Sequence, residues 1–342
     1  MTITIFNAIS HFLVDAACVG ALFSFGTEAE GFAAAVFVYN TLAFSTQCLF
    51  GFAMDRILRP GRRPDDRFLL QGSLQAGAMF VAAAAALSPL GLLVKAVLLG
   101  LGNSVFHVSA GSVTLDRSSG RAVPLGVFVA PGALGVTLGV LLPGSLDYVC
   151  LALGIASIVC FSIYRRAAAR YVFEDKGPEV KSSAVFPVAL LTAAVAVRAV
   201  GGTAAEFTWK TGALPAVLLT LCVFLGKFAG GFVRDRLGVV KPAIAGIAAA
   251  AVLTAFFAWS MPLSLIGQLL INLSMPVTLW LMYRHIPQYP GLAFGLAASA
   301  LWPGTLIGGL IKLTGPLQSI LIIVCFLLGL GAIIYSEKAL HK

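Results

Sequence analysis

The chain has 342 residues, of which 59% are hydrophobic and 11% charged, and its mean hydropathy is +0.96. Such an excess of apolar side chains excludes a soluble globular protein and points to a polytopic membrane protein. The net charge is +9, but Lys and Arg stand in short clusters between apolar runs, so they read as membrane topology and not as a nucleic-acid surface.

The first apolar stretch covers residues 3–25 and carries Asn7-Ala-Ile-Ser10-His11-Phe-Leu-Val-Asp15 in its first half. It is too long, and too polar inside, for a cleavable signal, so it is expected to stay as a helix. His11 and Asp15 stand at i and i+4 on one helical side, with Asn7 one turn earlier. An ionised Asp at the bilayer centre costs roughly 2.5–3.5 kcal/mol, so it is expected to face a protein interior or a watery cavity. Eleven more apolar runs follow, at 30–54, 68–88, 90–115, 123–143, 146–164, 185–205, 213–233, 242–260, 262–284, 291–312 and 316–335. Each is close to the length needed to cross a hydrocarbon core of about 30 Å. The expected fold is all-α, with twelve transmembrane helices.

Basic residues recur at every second connection. Arg56, Arg59, Arg62, Arg63 and Arg67 follow helix 2, Arg117 and Arg121 follow helix 4, and Arg165, Arg166, Arg170, Lys176 and Lys181 follow helix 6. Arg234, Arg236 and Lys241 come after helix 8, Arg284 after helix 10, and Lys338 and Lys342 at the end. Eighteen of the 23 Lys and Arg therefore share one side, which the positive-inside rule makes cytoplasmic, with both termini inside. The expected location is a bacterial cytoplasmic (inner) membrane. Residues 165–184 form the one long polar stretch and divide the chain into an N-terminal six-helix half, 1–164, and a C-terminal half, 185–342. Pro131-Gly132 and Pro143-Gly144 recur 172 residues later as Pro303-Gly304 and Gly315-Pro316, which suggests duplication and a transporter plan with sites between halves.

Gly51-Phe-Ala-Met-Asp55-Arg56 after helix 2 has a counterpart in Gly231-Phe-Val-Arg-Asp235-Arg236 after helix 8. Both resemble the signature loop of the major facilitator superfamily, although Leu58 stands where that signature has its second Gly. The resemblance implies the superfamily's twelve-helix fold, a central cavity lined by helices 1, 4, 7 and 10, and a cytoplasmic gate at Gly51, Asp55, Arg56, Gly231, Asp235 and Arg236. Ser10-His11 with Asp15, and Gly102-Asn103-Ser104-Val105-Phe106-His107 in helix 4, are similar to the fosmidomycin resistance protein branch, whose pattern continues with Pro where this chain has Val108. That narrower resemblance implies drug or organic-anion efflux.

Depth is an independent criterion. His11 and His107 each lie about eight residues from the cytoplasmic end of their helix, or roughly 12 Å in, with Asp15 and Asn103 one turn deeper. The candidate substrate and coupling residues are therefore His11, Asp15, Asn103 and His107, with Arg198 in helix 7 and Gln268 and Asn272 in helix 10; Asn7 and Trp302 are weaker cavity candidates. Arg198 is too deep to snorkel and needs a partner, Asp15 or an anionic group of the substrate. The reading is a secondary active transporter that moves a small solute by alternating access, with protons as coupling ion. The alternative is a divalent metal ion transporter using His11, Asp15 and His107 as ligands. Neither an enzyme nor an ATP-driven pump is expected, since no activated nucleophile adjoins the histidines and there is no Gly-rich Lys-Ser/Thr loop. The six cysteines lack paired or metal-ligand spacing. No cofactor and no nucleic acid are expected; the partners are the lipid bilayer and the solute, and the protein is expected to be a monomer.

Overall fold

The computed structural model describes residues 2–58, 64–168 and 182–341. Arg59, Arg62, Arg63, Arg170, Lys176, Lys181 and Lys342, and most of the linker, lie outside the described residues. Among those described, eleven helices are long and apolar enough to cross a membrane: α1 (Thr2–Phe23), α2 (Phe32–Ile57), α3 (Phe68–Leu87), α4 (Leu92–Asp116), α5 (Val123–Leu141), α6 (Pro143–Ala168), α7 (Ser182–Ala204), α8 (Ala213–Leu237), α10 (Met261–His285), α11 (Pro290–Leu310) and α12 (Gly315–Ala339). A shorter apolar helix, α9 (Val240–Phe256), completes the set. Helices are what such a sequence must form, because hydrocarbon offers no water to satisfy backbone N–H and C=O groups. The six cysteines are free.

Four spans are irregular, and three of the irregularities have one cause. The helical ladder stops at Ala130 in α5, at Leu273 in α10 and at Ala300 in α11. In each case a proline, Pro131, Pro276 or Pro303, falls within the first three residues of the segment that restarts. Proline has no N–H to donate and is tolerated only in a first turn, so the helix is divided just before it. The fourth irregularity is a π turn over Thr41–Ser45 of α2.

Two compact units form. One comprises residues 1–117, 131–178 and 288–295; the other comprises 118–130, 179–287 and 296–342. The first unit thus includes the tip of α11, and the second the tip of α5. Glycine makes both placements possible, as small residues do in membrane interiors where backbones approach closely. In the first unit a Cβ on Gly51 of α2 would fall 2.5 Å from the Gly291 carbonyl carbon; in the second a Cβ on Gly231 of α8 would fall 2.8 Å from Val123 Cα.

The interior of the first unit holds a polar network among otherwise apolar helices. Asn7 donates to Ala110 O (3.3 Å) and Thr114 Oγ1 (3.4 Å), Gln75 donates to Asn7 Oδ1 (3.0 Å), and Tyr164 donates to Gln75 Oε1 (2.6 Å). Phe68 stacks on the Tyr164 ring with centroids 4.8 Å apart. Buried polar groups need such partners, and here they lock α1, α3, α4 and α6 into one register.

Candidate functional site

α1 and α4 bring three titratable side chains together inside the first unit. His11 Nε2 lies 2.8 Å from His107 Nε2 and 3.2 Å from Asp15 Oδ2, and His107 Nε2 lies 3.8 Å from Asp15 Oδ1. His11, Asp15 and His107 are only 6%, 8% and 8% exposed, so bulk water does not solvate them. Asn103, one turn from His107, donates to Asp15 Oδ1 at 2.9 Å and to the Tyr39 hydroxyl at 3.2 Å.

The backbone sets the tautomer of one ring. His107 Nδ1 is 2.9 Å from the Asn103 carbonyl oxygen; a carbonyl only accepts, so Nδ1 carries the hydrogen and donates it. In the neutral ring Nε2 is then a lone pair aimed at His11. A hydrogen on His11 Nε2 therefore has two acceptors within reach, His107 Nε2 and the Asp15 carboxylate. Such a cluster can pass a proton among three atoms, or offer three ligand atoms to a cation, all within 4.8 Å of one another.

Two neighbours were not among the residues the sequence singles out for the site. Tyr39 sits in an apolar run with no charge to mark it, and just beyond it α2 loosens into its π turn. Gly132 of α5 stands out in the sequence only as the partner of Pro131 in a repeated Pro-Gly pair. In the structure a Cβ there would fall 2.6 Å from Asp15 Oδ2 and closer still to His11 Nε2, so the absence of a side chain at 132 makes room for the cluster. Ser10, adjacent to His11, is fully buried, and its Oγ has no hydrogen-bond partner among the described residues.

The other candidates lie elsewhere. Asn7 belongs to the network with Gln75 and Tyr164 and makes no hydrogen bond to the histidines. Arg198, in the second unit, is 6% exposed. It donates through Nε to Ala194 O at 3.3 Å, through Nη1 to Ser274 Oγ and through Nη2 to Thr278 Oγ1 at 3.0 Å. Asn272 donates to Gln268 O on its own helix at 2.8 Å, while Gln268 Nε2 is buried without a partner among the described residues. Trp302 is half-buried on α11.

The paired loop motifs do one job twice. Asp55 accepts from the Gly291 N–H (Oδ1, 3.0 Å) and the Leu292 N–H (Oδ2, 2.8 Å), at the start of α11. Asp235 accepts from the Ala122 N–H (Oδ1, 2.8 Å) and the Val123 N–H (Oδ2, 3.1 Å), at the start of α5. A carboxylate at a helix N-terminus satisfies orphan donors and meets the positive end of the helix dipole. Arg56 and Arg236 are exposed. The basic partners of Asp235 are instead Arg234 (3.0 Å) and Arg121 (3.6 Å), and Arg234 also stacks on Trp280 with its guanidinium carbon 3.3 Å from the ring centroid.

No family model and no curated protein matches the sequence. Among solved structures the chain is similar to the E. coli fucose:proton symporter FucP, with a TM-score of 0.61 and 11% identity over 98% of both chains. FucP in the outward conformation, a major facilitator superfamily transporter, gives 0.61 and 13% over the same shares. A bacterial homologue of the iron transporter ferroportin in an outward-facing state gives 0.61 and 14%, over 100% of this chain and 99% of that one. At such low identity the likeness establishes the fold, that of the major facilitator superfamily, as the paired loop motifs led us to expect.

Proposed function

We propose that this chain is a secondary active transporter that moves a small solute by alternating access and couples that movement to protons at His11, Asp15 and His107. The observation that carries the proposal is the buried cluster itself. A carboxylate and two imidazoles within hydrogen-bond reach, deep in a membrane span, are costly to insert, and intramembrane ionisable groups mark ion and substrate pathways. Imidazole is the side chain whose ordinary pKa lies nearest neutral pH, and a carboxylate beside it stabilises the imidazolium that forms when it takes up a proton. The fold supports the reading, and one structural neighbour is by its own name a fucose:proton symporter. The clustering of basic residues supports cytoplasmic termini in a bacterial inner membrane, and the carboxylates of Asp55 and Asp235 at the starts of α11 and α5 support a role as cytoplasmic latches.

The test is solute-dependent proton flux. Proteoliposomes loaded with a pH-sensitive dye are challenged with carboxylates, phosphonates, cationic drugs and sugars; at least one solute is expected to change the internal pH. Net uptake of a solute with no accompanying pH change would remove proton coupling.

A second reading rests on the tautomer of His107. Metal-ligating histidines usually donate their other ring N–H to a carbonyl or carboxylate, as His107 Nδ1 does to Asn103 O. With His11 and Asp15 it would present three ligand atoms of a type that suits divalent transition metals as cargo. Purified protein titrated with Co²⁺ separates the two: a visible absorption band lost in His107→Ala favours the metal, and a featureless spectrum favours the proton.

A further inference from the structure

Arg198 carries a charge that the structure leaves uncompensated. It makes no ion pair among the described residues, and its hydrogen-bond partners are one backbone carbonyl and two hydroxyls. Those hydroxyls do not neutralise it. The Ser274 hydroxyl hydrogen is spent on Ile271 O (2.6 Å) and that of Thr278 on Ser274 O (2.8 Å), so each turns only a lone pair toward the guanidinium. They fix its plane and leave its charge in place. Of the five guanidinium N–H groups, three are committed, and one on each terminal nitrogen remains. Those two N–H groups are left to hydrogen-bond an oxyanion such as a carboxylate or phosphonate.

A further feature of the same spot fixes the guanidinium in place. The stem of Arg198 lies against bare backbone: a Cβ on Gly329 of α12 would fall 2.7 Å from Arg198 Cγ and 2.9 Å from Cδ. The position of the guanidinium is thus set from both sides, by hydroxyls at its head and by a glycine along its stem.

We propose that Arg198, oriented by Ser274 and Thr278, binds an oxyanion carried by the transported solute, a carboxylate or a phosphonate. This rests on the transporter reading for the word solute, but the binding site itself is measurable without transport. The full-length protein in detergent is heated with benzoate, methylphosphonate or inorganic phosphate, and with the uncharged benzamide and dimethyl methylphosphonate at matched ionic strength. A ligand that prefers the folded state raises the melting temperature.

At least one organic oxyanion is expected to stabilise wild-type protein at millimolar concentration while its neutral counterpart does not; the organic arms separate carboxylate from phosphonate recognition. Stabilisation by inorganic phosphate alone would overturn the organic solute. Arg198→Met should abolish the shift. Arg198→Lys, which keeps the charge and so the fold but loses the planar guanidinium, should weaken binding by roughly 10-fold or more. Gly329→Ala, which leaves the guanidinium intact and displaces its stem, should weaken it as well. The inference is overturned if no oxyanion stabilises the wild type, or if Arg198→Lys and Gly329→Ala both bind as the wild type does. Anion binding without any proton-coupled flux would sink the transporter reading alone, and flux of a neutral solute without anion binding would sink this inference alone.

Discussion

Gly132→Ala is the smallest change that reaches the His11–Asp15–His107 cluster. The added methyl carbon would lie 2.6 Å from Asp15 Oδ2, whereas ordinary contact begins at 3.4 Å, so about 0.8 Å of room must be found on that side and more beside His11 Nε2. α5 can back away only by giving up the close backbone packing of its next turns against α1. A turn further on, Gly135 is pressed against the Phe12 carbonyl, and beyond it a Cβ on Gly139 would fall 2.6 Å from Gly20 N. The side chains must therefore yield, and the 3.2 Å His11–Asp15 contact and the 2.8 Å His11–His107 contact are the ones in the way. Overpacking of this kind costs about 1–3 kcal/mol, expected as a lower melting temperature together with loss of solute-driven proton flux. Gly77→Ala is the control, because a Cβ there meets nothing within 4 Å. If Gly132→Ala matched Gly77→Ala in both stability and flux, the cluster would not have the tight geometry argued for it.

Two other outcomes follow from buried polar groups. Gln75→Leu removes the link between Asn7 and Tyr164 and leaves the Tyr164 hydroxyl without its 2.6 Å acceptor; about 1–3 kcal/mol of stability should go, with anion-induced stabilisation through Arg198 unchanged. Asp55→Ala strips both acceptors from the Gly291 and Leu292 N–H groups. Hydrogen exchange at the start of α11 should then quicken selectively, whereas exchange at the start of α5, held by Asp235, should stay as in the wild type.

Much of the fold was legible in the sequence because its physics is one-dimensional. Spans of about 20 apolar residues must be helices in hydrocarbon, and the repeated Pro-Gly pairs at Pro131 and Pro303 stand at two of the three helix breaks. Pro276 has the same effect at the third, but no repeated Pro-Gly pair marks it in the sequence. The common depth of His11 and His107 was also a count of residues, and the structure puts their Nε2 atoms 2.8 Å apart. Three things were not legible. Tyr39 contributes one hydroxyl with no charged residue beside it in the sequence to mark it. Gly132 matters for the side chain it lacks. The partners of Arg198 are Ser and Thr, too common in membrane helices to single out. Of the two arginines adjacent to Asp235 only Arg234 pairs with it, the helix turning Arg236 to the exposed side, and its other basic partner, Arg121, comes from more than a hundred residues away.

The proposed proton coupling rests most directly on Asp15, and Asp15→Asn is close to isosteric. The decisive measurement compares wild type and Asp15→Asn in proteoliposomes with a solute found in the flux panel, first exchanging with no gradient and then under an imposed pH gradient. Coupling at Asp15 requires that the variant still exchange solute but accumulate none in response to the gradient. Full gradient-driven accumulation by Asp15→Asn would contradict it.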